Sequence, residues 1–120
     1  AIGPAAAPAA DALGKVLVND KFESVRLAAA YALGELGEEA GDAAKALGQA
    51  LQDPDDEVRQ EAAFALGEFG DAAEPLLPAL RKAADNDPAE VVRQAAKDAI
   101  DKLTEEDDDD APKKAAPKDK

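Results

Sequence analysis

In the stretch DPDDEVRQEAAFALGEFG, Asp53 to Gly70, the large apolar residues return at helical rather than strand spacing. At about 100° per residue, Val58, Ala62, Ala65, Leu66 and Phe69 gather on one side, which predicts a helix with a single buried face. The pattern recurs. Shifted back by 33 it meets DKFESVRLAAAYALGELG, Asp20 to Gly37, pairing Val25 with Val58, Arg26 with Arg59, Leu33 with Leu66 and Gly34 with Gly67. Shifted forward by 34 it meets DPAEVVRQAAKDAIDKL, Asp87 to Leu103, pairing Val58 with Val92, Arg59 with Arg93, Ala62 with Ala96 and Leu66 with Ile100.

The segments between these copies repeat as well: ALGKVL at 12–17, ALGQAL at 46–51 and ALRKAA at 79–84. Each unit is therefore expected to be two short helices, a first near 8–18, 42–52 and 75–84 and a second near 21–34, 54–67 and 88–103. Helices of about ten residues are marginal alone in water, so each pair must stack on its neighbours to bury its apolar stripe. Gly67 and Gly70 read as helix stops. Pro75 and Pro88 suit the first turns of helices.

The motif D-x-x-x-x-V-R-x-x-A-x-x-A-L-G-x-x-G resembles HEAT repeats, in particular the phycobilisome-lyase-like HEAT subfamily. The resemblance covers residues 1–103 and implies an all-α fold, an α-solenoid of about three helix-pair repeats. In the third copy Lys97, Asp98, Asp101 and Lys102 replace Ala63, Phe64, Gly67 and Glu68, as a solvent-facing last repeat requires. At the other end Ile2 and Gly3 align with Leu36 and Gly37, so the chain reads as a fragment cut from a longer array. The rival reading is a mature chain after leader removal. Residues 104–120, an acidic block followed by Lys, Pro and Ala, are expected to be a disordered charged tail.

Composition narrows the chemistry. Cys, His, Met and Trp are absent, while 27 acids face 14 bases for a net charge of −13. Residues 1–103 carry −10 of it and the tail −3. Thiolate or imidazole metal sites and His-activated nucleophiles cannot be built. No run approaches the roughly 20 apolar residues of a membrane span. The acidic field repels nucleic acid and anionic membranes and favours a basic partner. We therefore expect no enzyme activity, no cofactor, no nucleic acid and no membrane. A bilin-lyase-like or other enzyme with its active part elsewhere is the alternative that the resemblance implies. A HEAT-like hydroxylase with a His-Glu di-iron site is excluded by the lack of His.

The acids Asp53, Asp55, Asp56 and Glu57 lack the spacing and central Gly of a calcium loop. Asp20/Glu23, Asp53/Asp56 and Asp87/Glu90 instead predict helix caps, with each Asp at the N-cap and an acid three residues on. Arg26, Arg59 and Arg93 each stand six residues after an Asp. The family resemblance implies that these Asp and Arg residues pair along the stack as a ladder. The competing reading is an anion-binding stripe.

On the same wheel Phe64 lies about 140° from the core centre. Its counterparts are Tyr31 and Asp98, and the neighbouring position holds Leu27, Gln60 and Gln94. Leu27, Tyr31 and Phe64 are a candidate apolar strip on the second helices, with Gln60 beside it and Glu35, Glu61 and Glu68 flanking. In a HEAT solenoid this face is concave and is the usual partner surface. The expected partner is a protein or peptide with basic and apolar residues. Alternatively the two rings lie sideways and fill the groove between repeats; their accessibility distinguishes the readings. Phe22, whose counterparts are Asp55 and Ala89, tolerates exposure.

Overall fold

The computed structural model describes residues 3–105. Of the expected tail, only Thr104 and Glu105 fall within that span, as the last turn of a helix. The rest of the tail, and Ile2 at the edge of the repeat register, lie outside the described residues.

The described chain is helical throughout, with no strand. The elements are α1 (Gly3–Asn19), α2 (Glu23–Leu36), a 3-10 segment (Gly37–Ala43), α3 (Ala44–Ala50), α4 (Asp56–Gly67), a second 3-10 segment (Gly70–Leu76), α5 (Leu77–Asn86) and α6 (Glu90–Glu105). They form three pairs, α1 with α2, α3 with α4 and α5 with α6. The second members make a continuous row, α2 against α4 and α4 against α6. The first members line up behind them through α1, α3 and the 3-10 segments. The molecule is only 18 Å through its thinnest direction, the depth of two helix layers of about 10 Å each.

The core lies between the layers. Val58, Ala62, Ala65, Leu66 and Phe69 are all fully covered, as are Leu17, Leu33, Leu47, Leu80 and Val92. Val25, the counterpart of Val58 and Val92, remains 38% exposed. Those two stand on helices with a preceding helix pair behind them, whereas no described pair precedes that of α2. Phe22, just before α2, is 59% exposed.

Two expectations about local structure need correction. α4 does end at Gly67, but not through a left-handed glycine turn. The glycines with positive φ are Gly37 and Gly70, both at 60°, each opening a 3-10 connection. Gly67 instead gives room: a Cβ there would stand 3.1 Å from the Ala99 Cα. Gly34 repeats the arrangement one layer earlier, 3.2 Å from the Ala65 Cβ. Small residues thus let α2, α4 and α6 approach closely. Pro75 lies within the second 3-10 segment, and Pro78 takes the first turn of α5. Pro88 stands two residues before α6.

The caps also shift. Asp55, not Asp53, is the N-cap of α4 and accepts from Val58 N at 3.1 Å. Phe22 occupies that place at α2, without a side-chain cap bond. Asp20, Asp53 and Asp87 sit two residues further out. Each accepts, at 2.9 Å, from the backbone N–H two positions on: Phe22, Asp55 and Ala89. This is an Asx turn, which sets the direction of entry into the helix without capping it.

The outward placement leaves the carboxylates facing the preceding layer. Arg26 donates to Asp53 through Nε at 2.7 Å and Nη2 at 3.0 Å. Arg59 donates to Asp87 through Nε at 2.9 Å and Nη2 at 3.2 Å. The remaining nitrogen of each fork turns back to its own loop: Nη1 of Arg26, Arg59 and Arg93 donates to the carbonyls of Asp20, Asp53 and Asp87 at 2.9, 2.8 and 2.7 Å. The hydrogen bond to Asp53, more than its charge, holds the Arg26 guanidinium above its usual pKa against the opposing effect of burial.

Gly67→Ala should gain helix propensity of under about 1 kcal/mol but lose about 1–3 kcal/mol to the clash with the Ala99 backbone. A lowered Tm is expected by thermal unfolding, and an unchanged or raised Tm would show that α4 and α6 are not closely seated. Arg59→Ala strands the Asp87 carboxylate, whose side chain is only 6% exposed. Leaving a charge there costs about 3 kcal/mol, or more than about 10 °C in Tm for a domain of this size. Unchanged melting with lost partner binding would instead mark the arginines as a contact stripe.

Candidate partner-binding face

The row α2–α4–α6 turns its outer side to solvent. Tyr31 on α2 is 57% exposed, Phe64 on α4 52% and Val91 on α6 49%. The rings therefore do not fill the space between helices; they stand on the surface. Leu27, grouped with them on the helical wheel, does not join them. It packs against the core as a partly buried residue. A wheel treats a helix as isolated, and the neighbouring layer draws Leu27 inward. Val91 takes the place of the missing apolar member, on a column whose counterparts, Glu57 and Ser24, gave no apolar signal.

Two adjoining depressions follow the row. One, of about 410 Å³, runs between α4 and α6 and is lined by Tyr31, Gln60, Glu61, Phe64 and Val91, with Gln94, Ala95 and Asp98 closing it. The second, of about 250 Å³, lies between α2 and α4 and is lined by Tyr31, Gly34, Glu35, Glu61, Phe64 and Glu68. The predicted flanking residues Glu35, Gln60, Glu61 and Glu68 are thus brought together with both rings. The depression owes its floor to Gly34, where a side chain would meet Ala65.

The electrostatics differ along the row. Between α4 and α6, Lys102 forms an ion pair with Glu68, and its Nζ lies 5.6 Å from the centroid of the Phe64 ring. Between α2 and α4, Glu35 and Glu61 have no cationic partner among the described residues. Half-burial of Glu61 disfavours its charge and raises its pKa above the ordinary 4.5. Lys102 is a participant that helix patterning reads as a solubilising end-cap residue. Its signal is a change of sign in one repeated column, Glu35, Glu68, Lys102.

Asp20, Arg26, Asp53, Arg59, Asp87 and Arg93 are not part of this face; all six hold their own interhelix loops, and the pairs Arg26–Asp53 and Arg59–Asp87 also join successive layers. Among the described residues no group of three or more acids is placed to hold a metal ion. No described helix is long and apolar enough to cross a membrane.

Helix pairs stacked in two layers around a shared core define an α-solenoid. A model of the family HEAT repeats matches residues 10–101, and the chain belongs to the HEAT repeat family. It has no match among curated proteins.

The raised pKa of Glu61 gives a test of its setting. A carboxyl whose folded pKa exceeds its unfolded one costs stability when ionised. The cost is full above the folded pKa and disappears below the unfolded value. Glu61→Gln should therefore raise Tm at pH 7 and leave it unchanged near pH 3, well below 4.5. An equal effect at both pH values in thermal melts would rule out desolvation of the charge as the cause.

Proposed function

We propose that this protein is a non-catalytic scaffold that binds another polypeptide across the outer side of α2, α4 and α6. In this reading the chain comprises about three HEAT repeats of the phycobilisome-lyase-like kind, and this row is the concave side of the solenoid. The observation that carries it is the exposure of Tyr31 and Phe64 over a depression walled by glutamates. Large rings half out of water, framed by polar residues, are characteristic of contact hot spots. HEAT repeats commonly serve as protein-interaction scaffolds, which agrees with this reading. The absence of Cys and His from the sequence removes the usual nucleophile and base pairs, in keeping with binding rather than chemistry. The net charge of −13 favours a basic partner over nucleic acid or an anionic membrane.

The test is affinity capture on the immobilised full chain beside its Tyr31→Ala/Phe64→Ala variant. Both side chains are exposed, so the variant should keep its Tm. Proteins retained by the parent should be lost from the variant, with a drop in affinity of about tenfold or more if the rings are hot spots. Identical retention by the two would remove this face from the function.

A further inference from the structure

The three second helices carry one arrangement in successive registers, and one register lacks a component. Between α4 and α6 the arrangement is complete: the Phe64 ring, the Glu68 carboxylate on the same helix, and the ammonium of Lys102 contributed by the next helix. Moving back one repeat turns Phe64 into Tyr31, Glu68 into Glu35 and Lys102 into Glu68. The groove between α2 and α4 therefore holds a ring and two carboxylates from those columns, with Glu61 as a third. Where its neighbour has a cation it has an acid. Among the described residues neither Glu35 nor Glu61 has an ion-pair partner, and Glu61 bears the burial that makes an unpaired charge costly.

We propose that this groove is a seat for a lysine side chain of the partner, whose ammonium takes the place that Lys102 takes one register further on. Tyr31 offers its ring face, and Glu35 and Glu61 offer the counter-charge. Glu68 is already paired with Lys102 and borders the groove from the α4 side. An ammonium within about 6 Å of an aromatic face is attracted by its quadrupole, and most strongly where water is partly excluded. The volume of about 250 Å³ is sufficient for a side chain and not for a folded element. The adjoining depression, with Phe64 and Val91 on its rim, would receive apolar residues beside that lysine. This rests on the scaffold reading and specifies its partner as a segment with a lysine next to apolar side chains.

The chain supplies its own reporter, because Tyr31 is its single tyrosine and there is no tryptophan. The probe is the isolated side chain: Nα-acetyl-lysine N-methylamide titrated into the full chain, with the norleucine analogue as a neutral match, at constant ionic strength. Tyrosine fluorescence and backbone amide shifts on α2 and α4 follow binding. The lysine probe should saturate in the millimolar range and bind about fivefold or more tightly than the norleucine probe, the scale of one exposed cation–π contact reinforced by charge. Tyr31→Leu and Glu61→Gln should each weaken it. Glu74→Gln, which removes an exposed acid outside the groove, should not.

Equal response to the two probes would overturn the seat, as would a Glu74→Gln effect matching that of Glu61→Gln, which would reduce the binding to a general acidic field. The two readings fail separately. A partner held through Tyr31 and Phe64, combined with indifferent probes, would keep the interaction face and abolish the lysine seat.

Discussion

The arginine fork is the contact on which the rest of the structure depends. Arg59 divides its donors between two tasks. Nη1 fixes the carbonyl of Asp53 at the mouth of its own helix pair, while Nε and Nη2 grip Asp87 of the next. A planar guanidinium can do both because its donors point in fixed directions, which a lysine ammonium cannot reproduce. Arg26 repeats the geometry with Asp20 and Asp53. The loop conformation of one pair is therefore tied to the distance to the next. With the layers held at that distance, Gly34 and Gly67 can lie against Ala65 and Ala99.

Close packing of the second helices has a direct effect on the outer face. When backbones approach through glycine and alanine, the flanking positions splay outward. Tyr31 and Phe64 belong to those positions, and their rings rise above a shallow groove. The same closeness brings Lys102 within reach of Glu68 and Phe64 on the preceding helix. Structural economy and surface chemistry are thus linked: the small residues that seal the core also decide which charges become neighbours across adjacent helices.

Much of this was legible in the sequence, for a physical reason. A repeat states the same local problem three times, so the helix pairs and the buried set around Val58, Leu66 and Phe69 stand out from noise. The errors occur where one residue has two claims upon it. Asp53 looks like an N-cap, yet its oxygens are taken by the Asp55 N–H and by Arg26, and the cap passes to Asp55. Gly67 looks like a left-handed stop, yet its φ is not positive and α6 requires its lack of a side chain. Leu27 lies on the outer arc of a wheel, yet the core takes it in. Lys102 matters only in relation to a helix 34 residues away. Patterns along one helix do not contain such relations.

The fork also governs how the molecule comes apart. Because each helix pair is weak alone and its loop is held partly through its neighbour, most of its stability resides in the contacts between pairs. Such a stack behaves like a zipper rather than a string of beads. A pair in the middle cannot melt without opening two seams, whereas one at an end opens one. Of the three described pairs, the middle one shares a seam with each neighbour, through Arg26–Asp53 on one side and Arg59–Asp87 on the other, so it cannot open without breaking both ion pairs.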